Sequence, residues 1–224
     1  KREAMRNPFL RDLLLSDSIY IASNISFNNL APVSSYLGKP GNPDMGGLPL
    51  DEYRHRQEQF RVAEIAALQD TEHFIDRAAS LYGYQNFVCD TGGSICEWVD
   101  ANDPADPLLE KLSQVALMVW IEGSEAHTQE LIRRFDKAPK PMAYQPQFLL
   151  ECWQKYLDET GLGETAVDPD DFVRWIYQQA LNHRQPRYRA MADNWGITVC
   201  AQDVAEATTP QAFDAMIGAA LESR

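Results

Sequence analysis

The residues whose types and spacing best suit chemistry are Phe87-Val88-Cys89-Asp90-Thr91-Gly92-Gly93-Ser94. An acid that ends an apolar run and is followed at once by glycines predicts a carboxylate at the carboxyl end of a buried strand, where open α/β sheets bind ligands. A carboxylate there suits the water shell of Mg²⁺, and a backbone N–H left open by Gly93 can approach a phosphate oxygen. Asp90 is therefore the candidate metal-orienting and catalytic residue. Its competing role is structural, as an acid capping a helix that starts near Ser94.

Positive charge is the second signal. Arg133, Arg134, Lys137 and Lys140 fall in one short stretch, and Arg184, Arg187 and Arg189 in another. Arginine suits bidentate contacts to phosphate, and a lid carrying such cations can neutralise a transferring phosphoryl group. Alternatively, Arg133, Arg134 and Lys137 complement a helix C-terminus and pair with surface acids.

Other constellations fail on spacing. Gly38-Lys39 is followed by Pro40, and Val33 stands where a phosphate loop needs its first glycine, so G-x-x-x-x-G-K-[ST] is not satisfied. The letters D-T-G-G-S resemble an aspartic-protease signature, but that chemistry needs two carboxylates sharing a proton and only one copy is present. A hydrolase using Ser94 or Cys96 lacks a G-x-S-x-G elbow. His55, His73 and His183 have no metal-ligand spacing. Glu122, Glu125 and His127 follow an apolar run and are crevice candidates, although Ser124 reads equally well as an N-cap. Asn24, Ser26, Asn28 and Asn29 are candidates either for substrate contact or for turns. Trp153, Tyr156, Phe172, Trp175 and Tyr177 recur at helical spacing and read as a core.

The elements that must position these residues alternate. Four apolar runs read as strands: Ser18–Ile25, Asn86–Asp90, Val115–Ile121 and Ile197–Ala201. Helical patterns cover Glu3–Leu15, Asp51–Gln69, Thr71–Tyr82, Glu125–Phe135, Pro146–Glu159, Asp168–Asn182, Gln185–Asn194 and Pro210–Leu221. Apolar strands without strict alternation, separated by helices, predict an α/β fold, a doubly wound, mostly parallel sheet covered by helices. Two consecutive helices without an intervening strand predict a lid-like helical insert over 138–182, with 1–137 and 183–224 forming the core.

Among 224 residues, 45% are hydrophobic and 33 Asp+Glu outnumber 20 Lys+Arg, for a net charge of −13. That charge argues against nucleic acid or an anionic membrane as partner and favours a small polar metabolite. The longest apolar run falls far short of the ~20 residues that cross a bilayer. Cys89, Cys96, Cys152 and Cys200 show no paired or zinc-type spacing, which predicts reduced thiols in a cytoplasmic protein.

The segment FVCDTGGS resembles the Walker B strand of P-loop NTPases of the nucleotide-kinase-like type. Its D-x-x-G spacing at Asp90–Gly93 resembles the γ-phosphate-sensing segment of related GTPases. RRFDKAPK at 133–140 resembles a kinase lid, and RYRAMADNWGITVCAQDV with its following helix resembles the ending of many small kinases. The resemblance spans about residues 80–224. It implies an ATP-dependent, Mg²⁺-dependent phosphotransferase or ATPase in which Asp90 orients the metal. Gly92, Gly93, Arg133, Arg134, Lys137 and Arg187 would face the nucleotide phosphates. It further implies a Walker A loop N-terminal to Lys1. A non-catalytic α/β module that binds an anion or a protein partner is the alternative.

Overall fold

The computed structural model describes residues 37–224. The expected helix Glu3–Leu15, the expected strand Ser18–Ile25, and Asn24, Ser26, Asn28 and Asn29 lie outside the described residues. From Leu37 the chain enters a tight loop in which Gly41 N–H donates to the Leu48 carbonyl (2.9 Å) and Leu48 N–H to the Lys39 carbonyl (2.8 Å). A Cβ on Gly47 would lie 2.6 Å from the Gly41 carbonyl carbon, so this crossing requires glycine.

Helices α1 (Leu50–Gln69) and α2 (Thr71–Tyr82) follow, the second ending at Gly83 in the left-handed region. A 3₁₀ turn over Gly93–Glu97 precedes α3 (Pro107–Val115), whose first turn is capped by the Asp106 carboxylate through the N–H groups of Leu108 and Leu109. Then come β1 (Met118–Glu122), α4 (Glu125–Lys137), α5 (Pro146–Thr160), α6 (Pro169–Trp195), β2 (Gly196–Cys200), α7 (Ala201–Glu206) and α8 (Pro210–Glu222). Pro at the first position of α3, α5, α6 and α8 marks each start without losing a helical hydrogen bond.

The described residues are mostly helical, with β1 and β2 forming a two-stranded parallel sheet, Met118 opposite Gly196 through Glu122 opposite Cys200. A Cβ on Gly196 would run into the Met118 carbonyl. The α/β character is therefore minimal, and the doubly wound sheet expected from the sequence is reduced to these two strands among the described residues. Asn86–Asp90 forms neither strand nor helix, and Val88 is 84% exposed. An apolar run becomes a strand only where a neighbour takes its backbone hydrogen bonds, and no described strand does so here. Val115 closes α3, so β1 starts at Met118, three residues later than expected.

Two apolar clusters make the core. In one, Tyr53, Tyr144, Trp153, Phe172, Val173 and Ile176 are buried. The aromatics read from the sequence as a core pack there edge to face, Trp153 against Phe172 at 4.8 Å and Tyr156 against Phe172 at 5.3 Å. The other cluster holds Ile95, Cys96, Leu108, Leu109, Leu112 and Met191. Helix α6 supplies side chains to both. The sequence divides it in two before Pro186, yet it runs unbroken for 27 residues. Proline costs one backbone hydrogen bond and strains the preceding turn, but Arg184, Arg187 and Tyr188 on either side are each bonded to the Gly93–Glu97 turn or its flank. The expected boundary between residues 182 and 183 falls inside this helix. No described helix is long and apolar enough to cross a membrane.

Candidate functional site

The Asp90–Glu97 segment is built by short-range bonds and then held from two helices. The Asp90 carboxylate is exposed, and its Oδ1 accepts the Gly92 N–H at 2.9 Å. Gly92 has φ 67°, a left-handed conformation that side-chain-bearing residues adopt at a cost. The Gly93 carbonyl accepts the Tyr188 hydroxyl (2.8 Å) and the Cys96 thiol (3.2 Å). A Cβ on Gly93 would stand 2.6 Å from the Tyr188 oxygen, so glycine lets the α6 side chain reach the turn. Tyr188 also lies against Trp120 of β1, ring centres 6.5 Å apart, which sets the turn beside the parallel strands.

From α1, Glu64 accepts the Ser94 hydroxyl at 2.9 Å and the Trp98 indole N–H at 2.5 Å. Burial raises the Glu64 pKa, against the lowering effect of those two donors. Below the turn is a buried ion pair, Arg184 Nε to Glu97 Oε1 at 2.6 Å, with Arg184 Nη2 donating to the Ala143 carbonyl at 2.7 Å. Burial opposes the Arg184 charge, but the adjacent Glu97 outweighs it and leaves the guanidinium pKa raised. The second Glu97 oxygen accepts the Gln145 N–H at 3.1 Å and faces His183 Nε2 at 3.6 Å. Burial pushes the Cys96 thiol up to about 11, an inert rather than nucleophilic thiol.

The basic residues divide. Arg187 Nη1 donates to the Cys96 carbonyl at 2.6 Å, on the flank of the glycine turn. Arg133 and Arg134 both bind Glu130 on exposed α4, at 2.6 and 2.7 Å, and their hydrogen bonds lower the Glu130 pKa to about 2. Lys137, in the last turn of α4, makes no ion pair among the described residues. No described hydrogen bond or ion pair joins Arg133, Arg134 or Lys137 to Asp90, Gly92 or Gly93. Arg189 pairs with Glu122 at 2.7 Å, and His127 completes a capping box with Ser124. Lys39 pairs with Asp170, and Gly41 N–H is bonded within its own loop, so neither offers a phosphate cradle.

Sequence reasoning missed Glu64, Tyr188 and Glu97. Glu97 carried a signal, being a lone acid inside Ile95-Cys96-Glu97-Trp98-Val99, which an apolar environment tolerates only with a partner. Glu64 and Tyr188 carried none, since their contacts lie 30 and 95 residues away. Beyond Glu97 the chain walls a cleft of about 580 Å³ lined in part by Trp98, Asp100, Gln145, Arg187 and Ala190. Among the described residues no three His, Cys, Asp or Glu side chains converge as a metal site. Asp90 as a single hard oxygen donor still fits Mg²⁺, which commonly takes one or two carboxylates and fills its remaining positions with water and phosphate oxygens. No protein-family model, curated protein or solved structure matches the chain.

Proposed function

We propose that these residues form the metal-orienting and phosphate-facing part of an Mg²⁺- and ATP-dependent phosphotransferase or ATPase acting on a small polar metabolite. The observation that carries the reading is the turn at Asp90–Gly93, an exposed carboxylate with only Oδ1 engaged by a described donor, followed after Thr91 by two glycines and anchored to α6 through Tyr188. Bound Mg²⁺ would supply charge neutralisation between the phosphates. Asp90 would hold that ion's water shell, and Gly92, where a Cβ would meet only the Ser94 hydroxyl at 3.6 Å, would leave space for a phosphate oxygen, whereas at Gly93 that space is taken by the Tyr188 hydroxyl. Arg133, Arg134 and Lys137 would neutralise charge from α4 once the two arginines release Glu130. Arg187 stands on the flank of the turn.

Phosphoryl transfer also needs a backbone cradle for the phosphates. The test is titration of Mg²⁺-ATP into the natural full-length protein, wild type against Asp90→Asn. The expected result is a loss of affinity of about tenfold or more, and loss of turnover, in the variant. Equal affinity with no turnover in either protein removes the enzyme reading.

A specific observation favours the second reading, a non-catalytic module. Val88 (84%) and Ile121 (51%) expose apolar surface on an irregular segment and on β1. A protein partner adding a strand there would need neither metal nor nucleotide.

A further inference from the structure

The cleft beyond Glu97 is braced by hydrogen bonds among its lining residues. Glu97, paired with Arg184, lines it, and its wall is tied by Gln145 N–H on Glu97 and by the Asp106 carboxylate, which accepts the N–H groups of Asp100, Leu108 and Leu109 at 2.9–3.0 Å. Arg187 lines the cleft with one arm fixed on the Cys96 carbonyl, while its Nε and Nη2 have no acceptor among the described residues. Those two nitrogens form one edge of the guanidinium, the edge that receives a carboxylate through two parallel hydrogen bonds.

The remaining charges select what accompanies such an anion. Arg184 cancels Glu97, and three N–H donors disperse the Asp106 charge. Exposed Asp100 lines the same cleft and accepts the Asn102 N–H on Oδ1 (3.0 Å), while its other oxygen has no donor among the described residues. A cation edge and a carboxylate in the lining of one cleft complement a ligand with an anionic end and a donor end. A bare anion would meet Asp100 with nothing to offer it. The volume, about 580 Å³, accommodates a small metabolite.

We infer that this cleft binds the phosphoryl acceptor, a small hydroxylated carboxylate, with its carboxylate on the Nε/Nη2 edge of Arg187 and hydroxyl or ammonium donors on Asp100. The role of acceptor rests on the phosphotransferase reading; the binding chemistry does not. In the transfer, the acceptor hydroxyl oxygen bonds to the γ-phosphorus of ATP. The bond from that phosphorus to the oxygen kept by ADP breaks, and the hydroxyl proton leaves to solvent.

The test is calorimetric titration of the 224-residue chain, without nucleotide, using glycerate and serine as probes and inorganic phosphate and glycerol as controls. At least one probe binds about tenfold more tightly than either control. Ala190→Leu fills the cleft without removing any of its polar bonds, and Arg187→Lys keeps the charge but loses the two-donor edge. Each weakens probe binding about tenfold at unchanged circular dichroism. Arg189→Gln, outside the cleft, leaves binding unchanged. Probes that bind no more tightly than phosphate, or binding indifferent to Ala190→Leu, overturn the inference. Probe binding by a protein that ignores Mg²⁺-ATP keeps the cleft and removes the phosphotransferase; Mg²⁺-ATP binding without a probe response does the reverse.

Discussion

At the residue scale the most consequential contact is Glu97 with Arg184. The Glu97 side chain is fully buried and Arg184 nearly so, and both Glu97 oxygens are occupied. Removing one member strands the other charge out of water. Glu97→Gln is therefore expected to cost about 3–5 kcal/mol in urea unfolding, whereas Glu97→Gln with Arg184→Met recovers much of that loss. The neighbouring His183 is stacked on Phe148 at 4.1 Å and faced by Glu97, Arg184, Arg187 and Glu151. Burial lowers its pKa below the ordinary 6.5, assisted by Arg187 and Arg184 and opposed by Glu97 and Glu151. The fold thus favours the neutral ring, and between the folded and ordinary values the unfolded chain binds more protons. Stability is expected to fall as pH drops through about 6.5, and His183→Gln to flatten that slope in unfolding measured from pH 7.5 to 5.

At the element scale α4 is poised rather than committed. One carboxylate, Glu130, holds both arginines of the expected lid in place. A carbon-detected NMR titration should place its carboxyl midpoint at about 2. Exposed ion pairs of this kind contribute little to stability, so Glu130→Gln should leave the unfolding midpoint nearly unchanged. Because the substitution frees two guanidinium groups, it should also tighten Mg²⁺-ATP binding by a few-fold if they neutralise phosphate, as calorimetry on the full-length protein would read.

The helices were legible because their signals are local. Asp168 with Pro169, and Thr209 with Pro210, announce starts that the structure keeps. Asn86–Asp90 was not legible, because a strand depends on a neighbour that its own letters do not encode. The union of two expected helices across Pro186 was equally hidden, since the bonds that hold it reach residues 87 to 95 positions away.

For the whole molecule, α6 is the shared member of two cores, Phe172, Val173 and Ile176 in one and Met191 in the other. Each core contains a buried thiol, Cys152 and Cys96, and burial pushes both up to about 11. In a denaturant series monitored by thiol alkylation, both should stay protected and then become reactive together, since opening either core means undoing the helix they share. Labelling of Cys152 at lower denaturant than Cys96 would show that the cores open separately. The acidic composition legible in the sequence says nothing of this coupling. It also averages over cations that the fold spends largely on its own acids and carbonyls. The same helix sets a timetable for synthesis. Residues 50 to 160 leave the ribosome before the segment that covers them, so Tyr53, Tyr144 and Leu109, all fully buried in the finished molecule, stay uncovered until residues 169–195 have emerged. A nascent chain arrested before that point should be a preferred target for chaperones and proteases.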